Sequence, residues 1–463
     1  MAGKPINPAG PTYHLPNRKA AVQRSVNAYI QKLDTAEYMM AATPGEVQVA
    51  NLGAEVRGSR NVIGRWFVVA GTTLYEMINA GGSPPAWTPT ARGTLLTGTG
   101  IVGMANNATQ LAIVDGANLY IFNLQTNILT QITVPGWQGS DDVRELDGYF
   151  IFVDPGTEQF YLSAIDDGTQ LDALDFSSAD SSPDNIIAFR VSHRQLVLFG
   201  AGDSTEIWID SGGAAFPFVR YNSYTLDVGC VGPRTVTNAA DTLFWIGRTV
   251  RGTGIVYMLA GNQPQRVSTI AVETALQAST DLAGATMWAY QIEGHEFIGI
   301  NAPGLETTWV YDAATQMWHE RGEWSAGWQQ LRSRFYTSVE SEQYGGDSTG
   351  SIVRLDPDAH TLNGRPLVRE RTWPHMASPS LEPITYTGVE LALSTGAGGD
   401  ITLEISDDGG YAYGPPLLRS LGAAGRTMQR IRWLRLGASR NRVFRLRQSS
   451  PVPYALFAAA VDT

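Results

Sequence analysis

Residues 405–416 read ISDDGGYAYGPP, with two adjacent carboxylates, a Gly-Gly step and two tyrosines in twelve residues. Such a grouping could bind a cation, cleave a glycosidic bond or close a tight turn. A calcium loop needs oxygen ligands at alternating positions, and DDGG followed by Tyr, Ala and Tyr does not supply them. A glycosidase needs two opposed carboxylates, or a tyrosine nucleophile with arginines. Two further acidic stretches, SDDVRELDG (140–148) and DDGTQLDALDFSSADSSPD (166–184), offer many acids but no spacing that marks a pair, and they read as solvated loops. The six histidines, His14, His193, His295, His319, His360 and His375, form no H-x-H or H-x-x-x-H pair, and the one cysteine is Cys230. A zinc site is therefore not expected. No G-x-x-x-x-G-K-[ST] or G-x-S-x-G is present, and TGTGIVG (97–103) lacks the strand–helix setting of a phosphate cradle. The reading is of a protein with no catalytic residues, no metal and no cofactor.

In the quoted stretch, Ser406, Asp408 and Gly410 have the S-x-D-x-G spacing, with Tyr413 three residues on. This is similar to the Asp-box of sialidase-type propellers, where the Asp accepts backbone N–H bonds across a hairpin and the aromatic packs beneath. The resemblance implies a structural turn. A second constellation is basic: Arg426, Arg430, Arg432, Arg435, Arg440, Arg442, Arg445 and Arg447 fall within twenty-two residues. In RIRWLRL and FRLR they partly alternate with apolar residues, which puts several guanidinium groups on one face of adjacent strands. They are either a solvated sheet face or a docking surface for an acidic partner, with phosphate contact a weaker reading.

The elements that must position these residues are strands. Hydrophobic residues make up 43% of the 463, and 49 Gly with 12 Trp, 18 Tyr and 15 Phe favour turns and pleated surfaces over helices. A strand–turn–strand unit recurs. Its first strands are RWFVVAG (65–71), QLAIVDG (110–116), GYFIFVD (148–154), QLVLFGAG (195–202), TLFWIG (242–247) and EFIGINAPG (296–304). Its second strands carry the markers Tyr75, Tyr120, Tyr161, Trp208, Tyr257, Val310 and Ile352, at gaps of 45, 41, 47, 49, 53 and 42. A period in the forties with about four strands per unit is that of propeller blades. A tandem of β-sandwiches is the competing architecture. The expected fold is all-β: a six- or seven-bladed β-propeller over 61–356, an additional C-terminal β-sandwich-like domain within 357–463, and an extended N-terminal arm over 1–60. Within that arm, residues 17–42 have helix-forming composition, so a short helix is the alternative there. Residues 356–380 read as a linker or excursion, and the sandwich strands follow from 381.

The formal net charge of −11, with a pI near 5.1, argues against a general nucleic-acid binder but suits a channel through which DNA slides without sticking. A lone thiol fits assembly in a reducing cytoplasm. The N-terminal residues carry no apolar signal core, and YALFAAAV (454–461) is too short to span a bilayer, so a soluble protein with no membrane insertion of its own is expected.

Several longer stretches, in order, resemble one family: FSSADSSPDNIIAF (176–189), LVLFGAGDSTEIWIDSGGAAFPFVRY (196–221), DVGCVGP (227–233), TLFWIG (242–247), QRVSTIAVETAL (265–276), GHEFIGI…TTWVYDAATQMWHERG (294–322), EISDDGGYAYG and GASRNRVFRLRQSSPVPYAL. The family is that of the packaged-DNA stabilisation proteins of short-tailed bacteriophages, also called tail hub or nozzle proteins. The resemblance implies a structural virion protein, assembled in the host cytoplasm into the phage tail. It implies a homo-oligomer, a hexameric ring below the portal and adaptor rings. It also implies neighbours in the tail needle and in fibre or tailspike proteins, and double-stranded DNA in the channel without sequence-specific binding. No catalytic residues come with it. The competing function is a tail-associated propeller glycan hydrolase or glycan-binding adhesin.

Overall fold

The computed structural model describes residues 4–33, 38–213, 216–380 and 382–463. Residues 34–37 of the segment 17–42, and residue 381 at the expected start of the sandwich, lie outside them.

Seven four-stranded antiparallel units account for most of the chain among the described residues. Blades 1 to 4 span 56–94, 103–132, 143–178 and 186–226, and each is a simple meander. Blade 5 spans 229–266 and blade 6 spans 286–321. The innermost strands pack in sequence from Val56–Val62 through Gly103–Asn106, Val143–Leu146, Ile186–Ser192, Val236–Ala239 and Thr286–Ile292 to Arg334–Val339. That last strand packs back on Val56–Val62, so the circuit closes. The seven sequence markers fall one to a blade, each on the third strand outward: Tyr75 on Thr73–Asn79, Trp208 on Thr205–Asp210, Ile352 on Ser351–Asp356. The fold is a seven-bladed propeller.

The local cause of the blades is a repeated turn. Between the first and second strands of six blades stands a two-residue connection whose central residues both have positive φ: Ile63-Gly64, Asp147-Gly148, His193-Arg194, Ala240-Asp241, Glu293-Gly294 and Glu340-Ser341. This is the primed turn whose twist matches that of the flanking strands. Three of the six use no glycine, which costs roughly 1–2 kcal/mol per strained residue. Packing between blades offsets the strain. Trp66, Trp87 and Tyr344 interlock edge to face between blades 1 and 7, and Phe199 and Trp245 meet between blades 4 and 5. One helix, Ile270–Gln277, bridges blades 5 and 6, capped by Thr269 and tied by the ion pair of Glu273 with Arg266.

Blade 7 is made from both parts of the chain. Arg334–Val339, Glu342–Gly346 and Ser351–Asp356 supply three strands, and the fourth is Gly45–Asn51, paired antiparallel with Ser351–Asp356. The described residues of the segment 17–42 form a turn and strands, not the helix. Val22–Val26, Ala28–Lys32 and Tyr38–Ala42 are strands, each paired in a sheet: Val22–Val26 with Arg369–Thr372, and the other two with each other.

The C-terminal part is a β-sandwich, and its two sheets also use the N-terminal strands. One sheet has the order Ala28–Lys32, Tyr38–Ala42, Ala455–Asp462, Ile384–Leu393, Ile431–Ser439, with Lys4–Ile6 added against Ala455–Asp462. The other contains Arg369–Thr372, Asn441–Gln448, Asp400–Ser406 and Leu417–Ser420. Between them lie Trp373, Trp433, Phe444, Leu403 and Leu456, with Ile30 and Met40 from the N-terminal strands. Within the stretch 356–380, residues 369–372 are not a linker but a fully buried strand. Their polar letters, RERT, conceal this: Glu370 pairs with Arg447, while Arg369 bonds Gln448 and Arg371 bonds the Gly10 carbonyl and Ser25 Oγ.

Ala240 and Asp241 are exposed and left-handed. Replacing them by Asn and Gly is expected to raise stability by about 1 kcal/mol, read as a higher thermal midpoint. In the opposite direction, a Cβ on Gly45 would stand 2.3 Å from the Ala359 carbonyl oxygen. Gly45→Ala is expected to cost about 2 kcal/mol by displacing the closing strand, measured by the same melt.

Candidate functional site

The N-terminal strand Val22–Val26 pairs parallel with the outer strand of blade 6, Met317–Arg321, and antiparallel with Arg369–Thr372 of the sandwich. One continuous sheet therefore runs from the propeller through the N-terminal strand into the sandwich. Because alternate residues share a face, one face of this sheet carries a row of alternating charge. Glu320 of blade 6 is followed by Arg24, then Glu370, then Arg447 and Arg445, and finally Glu404.

The contacts in that row are close. Arg24 Nε donates to both oxygens of Glu320, at 2.9 and 3.1 Å, and Nη2 lies 2.5 Å from Oε2. Thr307 Oγ1 also donates to Glu320, and His14 Nε2 stands 3.3 Å from it. Arg447 Nε donates to Glu370 at 2.8 Å, and its guanidinium lies 4.5 Å from the ring centre of Trp324 of the propeller side. Arg445 bonds Glu404 and stacks on Tyr413 at 3.5 Å. Burial by itself pushes the Glu320 and Glu370 carboxyls up. For Glu320, Arg24 and His14 more than reverse this; for Glu370, Arg24, Arg447 and Arg445 do. Both carboxyls therefore sit below their ordinary range.

Asn27, fully buried at φ 53°, completes the joint. Its side chain donates to the carbonyls of Gly322 and Val368, at 2.8 and 2.7 Å, and accepts from Gly322 N at 3.0 Å. Asn tolerates the left-handed conformation better than other non-glycine residues, so the chain can switch here from one sandwich sheet to the other.

The opening motif sits at the edge of the same sheet, after Asp400–Ser406. Its two carboxylates diverge. Asp407 takes a two-point bond from Arg442, at 2.8 and 3.1 Å. Asp408 accepts Tyr411 N and Ala412 N at 3.0 Å and Ser406 Oγ at 2.7 Å, while Ser406 Oγ accepts Gly410 N at 2.8 Å. A Cβ on Gly410 would meet Val22 Cγ2 at 2.5 Å, so the turn seats against the N-terminal strand. Neither carboxylate is left to act as an acid, a base or a cation ligand. Among the described residues no group of three His, Cys, Asp or Glu side chains could hold a metal ion.

The arginine run is divided by the fold. Arg442, Arg445 and Arg447 lie on Asn441–Gln448 and are engaged internally, Arg442 also over the Tyr386 ring at 4.6 Å. Arg430 and Arg432 pair with Glu390, and Arg432 with Asp462, on the outer sheet. Arg426, Arg435 and Arg440 are exposed, and Arg435 has φ 61°. Sequence reasoning missed Arg24, Asn27 and Glu320. Only the polar letters inside otherwise strand-like apolar runs, VQRSVNAYI and MWHER, could have marked them.

A sequence model of the family described as "Bacteriophage P22 Gp10, beta-propeller" matches residues 22–351, and one described as "Bacteriophage P22 Gp10, beta-sandwich" matches 372–463. The chain belongs to the Bacteriophage P22 Gp10 family. The Gp10 propeller match begins at the N-terminal strand that joins the two parts, which accords with that strand's place in the shared sheet. Membership makes this a structural phage tail protein, located in the virion and involved in stabilising packaged DNA. No curated protein sequence matches the chain. Similar solved structures include the computationally designed Ika8 protein, at 11% identity over 68% of this chain and 100% of that chain, TM-score 0.39. YCF48 bound to D1 peptide is 12% identical over 71% and 97%, at 0.42, and the N-terminal domain of Nup159 is 9% identical over 75% and 99%, at 0.42. TM-scores this low support no conclusion.

Two predictions follow from the joint. Asn27→Ala removes three side-chain bonds from a buried left-handed position and is expected to cost about 3 kcal/mol or more, seen as lowered resistance to denaturant. The acid response has a definite sign. Glu320 and Glu370 have folded pKa values below the ordinary 4.5. Their contribution is therefore full above that pH and is lost as pH falls through the folded values. Glu320→Gln is expected to flatten the fall in stability below about pH 4.5, measured by denaturant midpoints across pH.

Proposed function

We propose that this chain is a tail hub or nozzle subunit that forms a hexameric ring below the portal and adaptor rings, lengthens the DNA channel, retains the packaged genome and allows its ejection. The match of both Gp10 family parts along one chain carries this reading. The single sheet that locks propeller to sandwich supports it, since a ring element under the load of a packed genome must not hinge between its parts. Residues 1–60 serve as a clasp, 61–356 as the propeller body and 357–463 as the sandwich that meets neighbours.

No catalysis is assigned. The acids of the opening motif are engaged in a turn and an ion pair, which fits a scaffold better than a glycan hydrolase. Docking falls to the outward arginines, Arg426, Arg430, Arg432, Arg435 and Arg440, with an acidic surface of a neighbouring virion protein as the occupant. The net charge of −11 favours a lumen that DNA does not adhere to.

Negative-stain images of the purified protein mixed with a portal–adaptor complex test the reading. A six-fold ring stacked on the adaptor is expected, and a free monomer that never joins the complex would refute it. Reversal of Arg426 and Arg435 to Glu is expected to weaken that association at least tenfold while leaving the melt unchanged.

A further inference from the structure

The seven inner strands enclose an axial cavity of about 590 Å³, lined from every blade. Its charge runs against the acidic chain around it. Arg60, Arg144, Arg190 and Arg234 line it, against two carboxylates, Asp142 and Glu145.

Asp142 is the carboxylate that the arginines share. Asp142 is buried, not solvated as its place in an acidic loop suggests. It takes Arg144 Nη2 at 2.5 Å and Arg190 Nη1 at 2.7 Å, with Arg234 Nη1 at 3.6 Å, and also accepts Val143 N at 2.9 Å. Gly103 makes this possible, because a Cβ there would lie 2.7 Å from both Cα and Oδ1 of Asp142. Glu145 Oε1 accepts Gly148 N at 2.8 Å. Arg60 bonds only neutral acceptors, Asn106 Oδ1 at 2.7 Å and Met104 O at 3.1 Å. The buried Nε of Arg144 has no hydrogen-bond partner.

Four guanidinium groups thus face two carboxylates, the shared buried Asp142 and Glu145, with a buried donor unused. Burial and repulsion from Arg144 pull Arg60 down to about 10 and Arg190 to about 9, by more than the nearby carboxylates restore. Concentrated positive charge between low-dielectric walls focuses the field on the cavity. Guanidinium forks match the geometry of tetrahedral oxyanions.

We infer that the axial cavity of the propeller is a binding site for a phosphate-class oxyanion, held by Arg60, Arg144 and Arg234 above the buried Asp142. The anion is either free phosphate or the phosphoryl group of a small molecule. Trp288 and Tyr336 in the same wall give the second source an aromatic surface to lie against.

Titration calorimetry on the full chain tests this, with sodium phosphate as the probe and sodium chloride at equal ionic strength as the reference. One-to-one phosphate binding above the chloride reference is expected, and no such binding overturns the inference. Arg144→Gln is expected to weaken binding at least tenfold. Should that variant fold poorly, the half-buried Arg60→Gln, checked by its melt, is expected to do the same; unchanged affinity in a folded variant also overturns the site. Adenosine monophosphate is the second probe: tighter binding than phosphate identifies a phosphorylated small molecule, and equal binding identifies the free ion.

Discussion

A single strand, Val22–Val26, holds this molecule together. It fills the space between blade 6 and the sandwich, and hydrogen bonds along both its edges make two bodies into one sheet. Inserting it costs the desolvation of Arg24. That cost is acceptable only because Glu320 meets the guanidinium with both oxygens and Glu370 stands on the other side. The charged row from Glu320 to Glu404 is thus a consequence of burying a polar strand in a sheet, and it fixes the register, since a one-residue slip would take Arg24 to the other face, away from Glu320 and Glu370.

The same N-terminal segment closes the propeller. A toroid of blades is stable only when the last blade meets the first, and an unpaired edge on blade 7 would invite strand exchange. Here Gly45–Asn51 covers that edge. Residues 22–51 therefore act twice, once as a bridge and once as a latch, and Asn27 is where the chain turns from the first task toward the second. For a structural tail protein of the Gp10 family, rigidity is the functional property: strain at any one point spreads through a sheet instead of collecting at a hinge.

Much of the fold was legible because it is local. Tyr75, Tyr120, Tyr161, Trp208 and Tyr257 recur at propeller spacing, and the two markers without aromatic rings, Val310 and Ile352, also fall on third strands. The sandwich strands expected beyond 381 are there too, Ile384–Leu393 and Asn441–Gln448 among them. Less legible was RERT at 369–372, whose composition says surface and whose position is the centre of a sheet. The arginine run showed its chemistry in the sequence but not its partners. Arg447 faces Trp324 and Glu370 of its own chain, whereas Arg435 faces outward.

The amino-acid sequence by itself determined the strand periodicity and narrowed the repeating units to six or seven, because those depend on neighbours a few residues apart. Tertiary structure alone decided which charges neutralise one another. Arg24 meets Glu320 across 296 residues of chain, and Asn27 meets Gly322 across 295. No local pattern encodes such pairs. They arise when the N-terminal strand is laid between blade 6 and the sandwich, and only then does a buried charge acquire the partner that makes its burial possible.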